Sequence, residues 1–161
     1  MAAVEITVRR AGAEEAPTLA RLRWRWRIDE RGEQHDNRDQ FVHYFATWVV
    51  DNLATHLPFV VEADGRVVGM AFLALLNRVP SPTRLDRRGA DIQSVYVVPE
   101  FRDAGVGTVL LAALRQEARN RELEIVTVHS SDRAVSLYQR GGFEGSPRRL
   151  HWRPDGAIPY G

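Results

Sequence analysis

The chain has 161 residues, 44% of them hydrophobic and 27% charged, a size and mix that suit a domain with a buried core. A formal net charge of +1 removes the bulk electrostatic reason to expect a nucleic-acid or anionic-membrane partner. There is no cysteine, which excludes a disulfide framework, a thiolate metal site and a cysteine nucleophile, and the five histidines show no metal-ligand spacing.

Val4 to Arg9 alternates apolar and polar residues, which predicts a half-buried strand and not a signal peptide. Glu14 to Arg27 predicts a helix, with Leu19, Leu22 and Trp26 at offsets of three and four and Pro17 tolerated in the first turn. Gly32 to Arg38 is polar and loop-like, and Asp39 to about Asn52 predicts a second helix, with Phe41, Phe45, Trp48 and Val49 on one side. Pro58 to Ala63 and Val67 to Asn77 predict two strands joined at Asp64-Gly65, a hairpin dipeptide. Arg78 to Gly89 reads as a loop, Asp91 to Val98 as a strand stopped by Pro99, and Gly107 to Arg121 as a helix with Val109, Leu110, Ala113 and Leu114 inward. A strand at Glu124 to His129, a helix at Asp132 to Arg140 and a terminal hairpin from Phe143, its last strand including Leu150 and Trp152, complete the order. The tail from Arg153 looks irregular. There is no internal repeat or linker, so one α+β domain over residues 1–161, with its core at about 4–152, is expected. The longest apolar run, Val67 to Leu76, is too short to span a bilayer, so a cytoplasmic location is expected. All 22 basic residues are arginine, in keeping with a GC-rich bacterial genome, so the chain has no side-chain lysine of its own to modify.

The most informative stretch is Val95-Tyr96-Val97-Val98-Pro99-Glu100-Phe101-Arg102-Asp103-Ala104-Gly105-Val106-Gly107, where a strand enters a turn with two glycines and then an amphipathic helix. Glycines let the backbone approach a ligand, and a helix start offers free N–H groups and about half a positive charge, which suits a phosphate. Alone, Gly-x-Gly before a helix fits a tight structural turn nearly as well. Neither GxGxxG nor GxxxxGK[ST] is present, so a phosphate ligand of another kind is indicated.

Arg102-Asp103-Ala104-Gly105-Val106-Gly107 resembles the [QR]-x-x-G-x-[GA] signature of the GNAT superfamily of N-acetyltransferases, with Val97-Val98-Pro99 matching the V-x-P before it. Ser131 to Phe143 resembles a second pattern of the family, [NS]-x-x-A-x-x-L-Y-x-x-x-G-F. The resemblance implies an α+β GNAT fold: a mixed, mostly antiparallel sheet of about six or seven strands, about four flanking helices, and a splay between strands four and five. It also implies acetyl-CoA as co-substrate, an amine acceptor, direct transfer in a ternary complex, and the homodimer common in the family.

By the same resemblance, coenzyme A diphosphate would rest on Arg102, Asp103, Ala104, Gly105, Val106 and Gly107, with the Thr108 hydroxyl beside it. The pantetheine arm would lie along Val95, Tyr96 and Val97 like an added strand, the Val97 N–H polarising the thioester carbonyl. Asp103 departs from relatives that carry glycine or a cation there, and is expected to face solvent or pair with an arginine. Ser131 stands where many relatives have asparagine, and serine suits the cap of the following helix.

A lysine-like amine is mostly protonated at pH 7, a handicap of about 4 kcal/mol, so a base is needed, and the departing thiolate needs a proton. Family roles make Tyr138 the acid, although Ala134, Leu137 and Tyr138 also share a helix face that fits a core aromatic. Asp91 is the first candidate base: it begins the fourth strand, where the histone-acetylating branch places a glutamate, and period-two alternation sets it on one face with Gln93, Val95 and Val97. It also fits a solvated strand-start carboxylate. His129 is the alternative base, its ordinary pKa suiting proton transfer, and Glu62 a third. The resemblance implies an acceptor pocket built from the first two helices, the loop after the third strand and the terminal hairpin, which here carry Trp24, Trp26, Asp29, Glu30, Glu33, His35, Asp36, Tyr44, Arg84, Asp86 and Trp152, with Glu33 and Asp36 suited to a cationic amine and Arg23-Arg25-Arg27 read as a solvated helix face. A small amine, metabolite or antibiotic is favoured over a protein N-terminus or lysine. An acyl-CoA-binding sensor without catalysis is the alternative, and the intact glycine turn and tyrosine speak against it.

Overall fold

A computed structural model describes residues 3–154. Alternating and apolar segments make five strands, β1 (Ile6–Arg10), β2 (His56–Ala63), β3 (Arg66–Arg78), β4 (Arg87–Val97) and β5 (Ile125–Val128), in the spatial order β1-β2-β3-β4-β5. The first three pairings are antiparallel and β4–β5 is parallel. Asp64 and Gly65 turn the β2–β3 hairpin at φ 50° and 74°, the double positive φ that makes Asp-Gly a hairpin signal.

The helices are α1 (Ala16–Trp24), α2 (Arg38–Asp51), α3 (Val106–Asn120) and α4 (Val135–Arg140). Past α1 the chain widens into π-helical geometry at Arg25–Glu30, so the first helical path runs three residues beyond its expected end. The Asn37 side chain caps α2 by accepting from the Gln40 N–H at 2.9 Å.

Paired residues fix the two faces of the sheet. Phe72 meets Phe45 of α2 and Tyr96 meets Trp26, so Met70, Phe72 and Ala74 face α1 and α2. On the other face Arg10, opposite Phe59 and hence in line with Ala71, reaches Glu117 of α3 at 3.7 Å. Val106, Leu110, Leu111, Leu114 and Ala118 are the buried stripe of α3, whereas Val109, expected inward, is 38% exposed.

Three expectations are corrected. The sheet has five strands among the described residues and not six or seven. Arg87–Gly89, expected in a loop, pair with Leu76–Arg78 and lengthen both strands. Residues 143–154 form no strand, and Leu150 and Trp152 are 86% and 82% exposed. Gly145 and Pro147 explain the loss, because one weakens pairing and the other lacks an N–H to donate. The irregular tail expected from Arg153 lies, after Pro154, outside the described residues.

Candidate active site

The fork expected in the sheet is present and has a definite start. β5 pairs with β4 from Gly89 to Ile92 and stops at Val128, while β4 continues to Val97. Beyond Ile92 the β4 edge that faced β5 is open.

Hydrogen bonding shows which groups line that edge. The Val98 N–H donates to Val68 O at 2.9 Å, and Tyr96 O lies 2.8 Å from where a Cβ on Gly69 would be, so both residues direct their backbone groups toward β3. Antiparallel alternation sends the N–H and C=O of Val97 the other way, into the fork. The Val97 carbonyl is taken there by Arg102 Nε at 2.9 Å. At Gly69 a side chain would collide with β4 backbone, so this close approach requires glycine.

The glycine turn follows directly. Asp103 and Gly105 sit at φ 60° and 78°, and Gly105 caps α3. Among the described residues no backbone carbonyl accepts from the N–H groups of Asp103 to Thr108, and nothing lies within 4 Å of a Cβ built on Gly105. Ala104 and Thr108 are exposed, Val106 is buried, and Asp103 faces solvent as expected. The turn is therefore a cradle of donors, open on the ligand side.

α4 is seated on α3 through two glycines. A Cβ on Gly107 would lie 3.0 Å from Leu137, and one on Gly141 2.4 Å from Leu111. This contact fixes the helix bearing Tyr138 over the first turns of α3. Tyr138 is 7% exposed, stands edge-on to Phe143 at 5.6 Å, and burial pushes its phenol above the ordinary value. It is a core aromatic whose phenol stays protonated at neutral pH. Ser131 precedes the α4 turn, but its hydroxyl makes no cap; its carbonyl accepts the Ala134 N–H at 2.9 Å instead.

The base candidates are arranged differently from the period-two expectation. β4 bulges between Gln93 and Tyr96, with Ser94 at φ 55°. Asp91 and Gln93 therefore share the α1–α2 face with Tyr96, and Val97 joins Ile92 on the α3 face. Asp91 is inside β4, half-buried, and accepts from Thr127 Oγ1 at 2.5 Å and Gln93 Nε2 at 3.2 Å. His129 lies exposed just past β5. Glu62 is held by Arg9 at 2.6 Å on the β1–β2 side of the sheet.

A cluster absent from the sequence reading bridges the π segment and the turn. Tyr96 donates its hydroxyl to Glu30, and Arg102 Nη2 donates to the same carboxylate at 2.8 Å. Partial burial works to raise Glu30, but the Tyr96 and Arg102 bonds outweigh it and hold the carboxyl below its ordinary range. Burial and Glu30 push the Tyr96 phenol up. Arg25, expected in solvent, reaches Glu100 at 2.6 Å, and Arg23 and Arg27 pack by Trp26 instead of forming a solvated face. The partners are 66 and 72 residues apart, so only the three-dimensional fold brings them together.

No group of three His, Cys, Asp or Glu that could hold a metal occurs among the described residues, and no described helix is long and apolar enough to cross a membrane. The model of the acetyltransferase (GNAT) family matches residues 18–143. A glucosamine 6-phosphate N-acetyltransferase of Trypanosoma brucei brucei is 32% identical over 92 residues, 57% of this chain and 60% of that protein. An N-alpha-acetyltransferase of Sulfurisphaera tokodaii is 31% identical over 112 residues, 63% of this chain and 65% of that protein. The chain thus spans less than two thirds of either relative. In structure it is similar to a predicted acetyltransferase of Clostridium acetobutylicum solved with acetyl-CoA, at TM-score 0.72 and 23% identity over 92% of this chain and 96% of the other. A GCN5-related N-acetyltransferase of Ralstonia eutropha JMP134 gives TM-score 0.72 at 20% identity over 92% and 99%.

Proposed function

The chain belongs to the GNAT acetyltransferase family, and from that membership we propose that it is a single-domain enzyme transferring an acetyl group from acetyl-CoA to a primary amine. The observation that carries the reading is the continuity of the open β4 edge at Val97 with the donor-lined turn from Asp103 to Thr108. A pantetheine-like arm is a strand-like partner for that edge, and a diphosphate fits the turn, where among the described residues no backbone carbonyl accepts from the six N–H groups and a Cβ on Gly105 would find open space.

In this reading the turn residues Arg102 to Thr108 hold the diphosphate, and Ser131 lies at the start of the helix that closes the fork. Val95 and Val97 align the arm along the open edge, Tyr96 having its backbone turned to β3, and the Val97 N–H donates to the thioester carbonyl oxygen. Tyr138 holds the proton that the leaving sulfur takes. Asp91, its carboxylate steadied by Thr127 and Gln93, accepts the amine proton directly or through water, with His129 as the second candidate. Acetyl-CoA supplies the activated acyl group when bound.

The acceptor is a small molecule in this proposal. Names of relatives support that class: one acts on glucosamine 6-phosphate and another is an amino-acid acetyltransferase of Photobacterium profundum, 34% identical over 84 residues. The same proposal includes a cytoplasmic location and a homodimer.

Thiol release from acetyl-CoA against a panel of small amines, peptides with free N-termini and lysine peptides tests it. Release with a small amine supports transfer. Tight coenzyme binding without release for any amine would move the protein to the binding-only alternative. Calorimetry on Gly105→Glu tests the cradle separately: both the positive φ and the added carboxylate should abolish acetyl-CoA binding, and normal affinity would remove the diphosphate from this turn.

A further inference from the structure

We propose that Arg23, Arg27 and Arg31 form an oxyanion subsite for the acceptor, which is then an amine bearing a carboxylate or a phosphate. The inference rests on the acetyl-transfer reading above and names the substrate class.

The three arginines recur every fourth residue, Arg23 on α1, Arg27 in the π segment and Arg31 at the cap that ends it, and all three converge on one indole. Their guanidinium carbons lie 4.8, 5.9 and 5.6 Å from the centroid of one indole, Trp26. Trp26 in turn stacks on Tyr96 at 5.5 Å and 14°, and Tyr96 is the residue before Val97. The cluster is thus one aromatic layer from the edge assigned to the thioester.

Its charges are poorly matched. Arg27 pairs with Glu33, the one carboxylate bonded to the trio among the described residues, while Glu30 is committed to Tyr96 and Arg102. Burial, with Arg27 and Arg31 adding repulsion, holds the Arg23 guanidinium down to about 10. Nη1 of Arg23 and Nη1 of Arg27 are both buried and meet no acceptor. Buried guanidinium donors are normally satisfied, and packing on an indole needs neither like charge beside it nor an unpaired nitrogen. A compact oxyanion answers both needs at once, because it supplies acceptors and balances charge. It would enter by taking the position of Glu33, whose side chain is 45% exposed. A polyanion does not fit a part-buried cluster on a chain of net charge +1.

Thermal melts of the full chain in inorganic phosphate, against sodium chloride at equal ionic strength, give a readout independent of turnover. Phosphate should raise the Tm of the wild type more than chloride does. That gain should vanish in Arg23→Gln and Arg27→Gln and grow in Glu33→Gln, which removes the competing carboxylate. Turnover then uses matched acceptors: an amino acid against its carboxamide, and an amino sugar with and without its phosphate. The wild type should prefer the anionic member by about tenfold or more in kcat/KM, and both arginine variants should cut that ratio by about tenfold. Whichever pair shows the preference identifies carboxylate or phosphate. If the arginine variants do not fold, Arg31→Gln on the exposed end and the wild-type phosphate melts carry the test. Equal use of both members with no phosphate-specific gain overturns the subsite, while release with the neutral amine leaves acetyl transfer standing. A loss of acetyl-CoA affinity in the arginine variants also overturns it, by assigning the cluster to the coenzyme.

Discussion

Tyr138 carries two burdens that one atom separates. Its ring packs on Phe143 and in the core beside α3, and its hydroxyl makes no hydrogen bond among the described residues. Burial raises the phenol, so it remains protonated to higher pH than an exposed tyrosine, which suits an acid and not a base. Tyr138→Phe keeps the ring and removes the proton. We expect kcat to fall about tenfold to a thousandfold with acetyl-CoA affinity little changed, and stability to shift by less than about 0.5 kcal/mol. Unchanged turnover would leave the tyrosine with packing alone. The motif made this residue legible, whereas the placement of Asp91 was only half legible. Period-two counting set Asp91 with Gln93 correctly and with Val97 wrongly, because the extra residue at Ser94 reverses the strand's faces. A serine at positive φ gives no such warning in sequence, where glycine or asparagine would.

The π segment acts as a clasp between α1 and the glycine turn. Arg25 holds Glu100, and Glu30 holds both Tyr96 and Arg102. Its helical spacing was legible, but its widening and its partners were not, because they depend on residues far along the chain. The terminal hairpin was misjudged for the opposite reason: Leu150 and Trp152 alternate as strand residues should, yet no strand pairs with them. Arg102 stands at the centre of the clasp, shared between Glu30 and the Val97 carbonyl. Glu30→Gln keeps an acceptor for Tyr96 and removes the charge that detains Arg102. The variant should lose about 1 kcal/mol of stability, since both partners are partly buried. It should bind coenzyme A a few-fold more tightly in calorimetry, as the freed guanidinium turns to the diphosphate. Weaker binding by tenfold would mean instead that the clasp shapes the turn before ligand arrives.

At the scale of the whole fold, arginine-held carboxylates tie the ends of elements that also pack through the hydrophobic core. Glu124 is the broadest of these joints. It takes Arg87 at 2.6 Å, Arg78 at 3.0 Å and Arg84 at 3.7 Å, tying the end of β3, the following loop and the start of β4 to the entry of β5. The Arg87 hydrogen bonds lead the lowering of its carboxyl below the ordinary value. Glu15 is lowered by Arg9 and Glu100 by Arg25, and Glu30 falls in the same direction. A carboxyl lowered in the folded state binds fewer protons there than in the unfolded chain, so its contribution is present above the unfolded pKa of about 4.3 and is lost as pH falls through the folded value. Urea melts should therefore show stability steady from neutral pH to about 5 and falling below it. Glu124→Gln has no proton to gain at this joint. Its deficit against the wild type should be largest at pH 7 and shrink as pH drops toward 3, while the slope from Glu15, Glu30 and Glu100 remains. A deficit that stayed constant with pH would show that the joint works through shape and packing, with charge adding nothing.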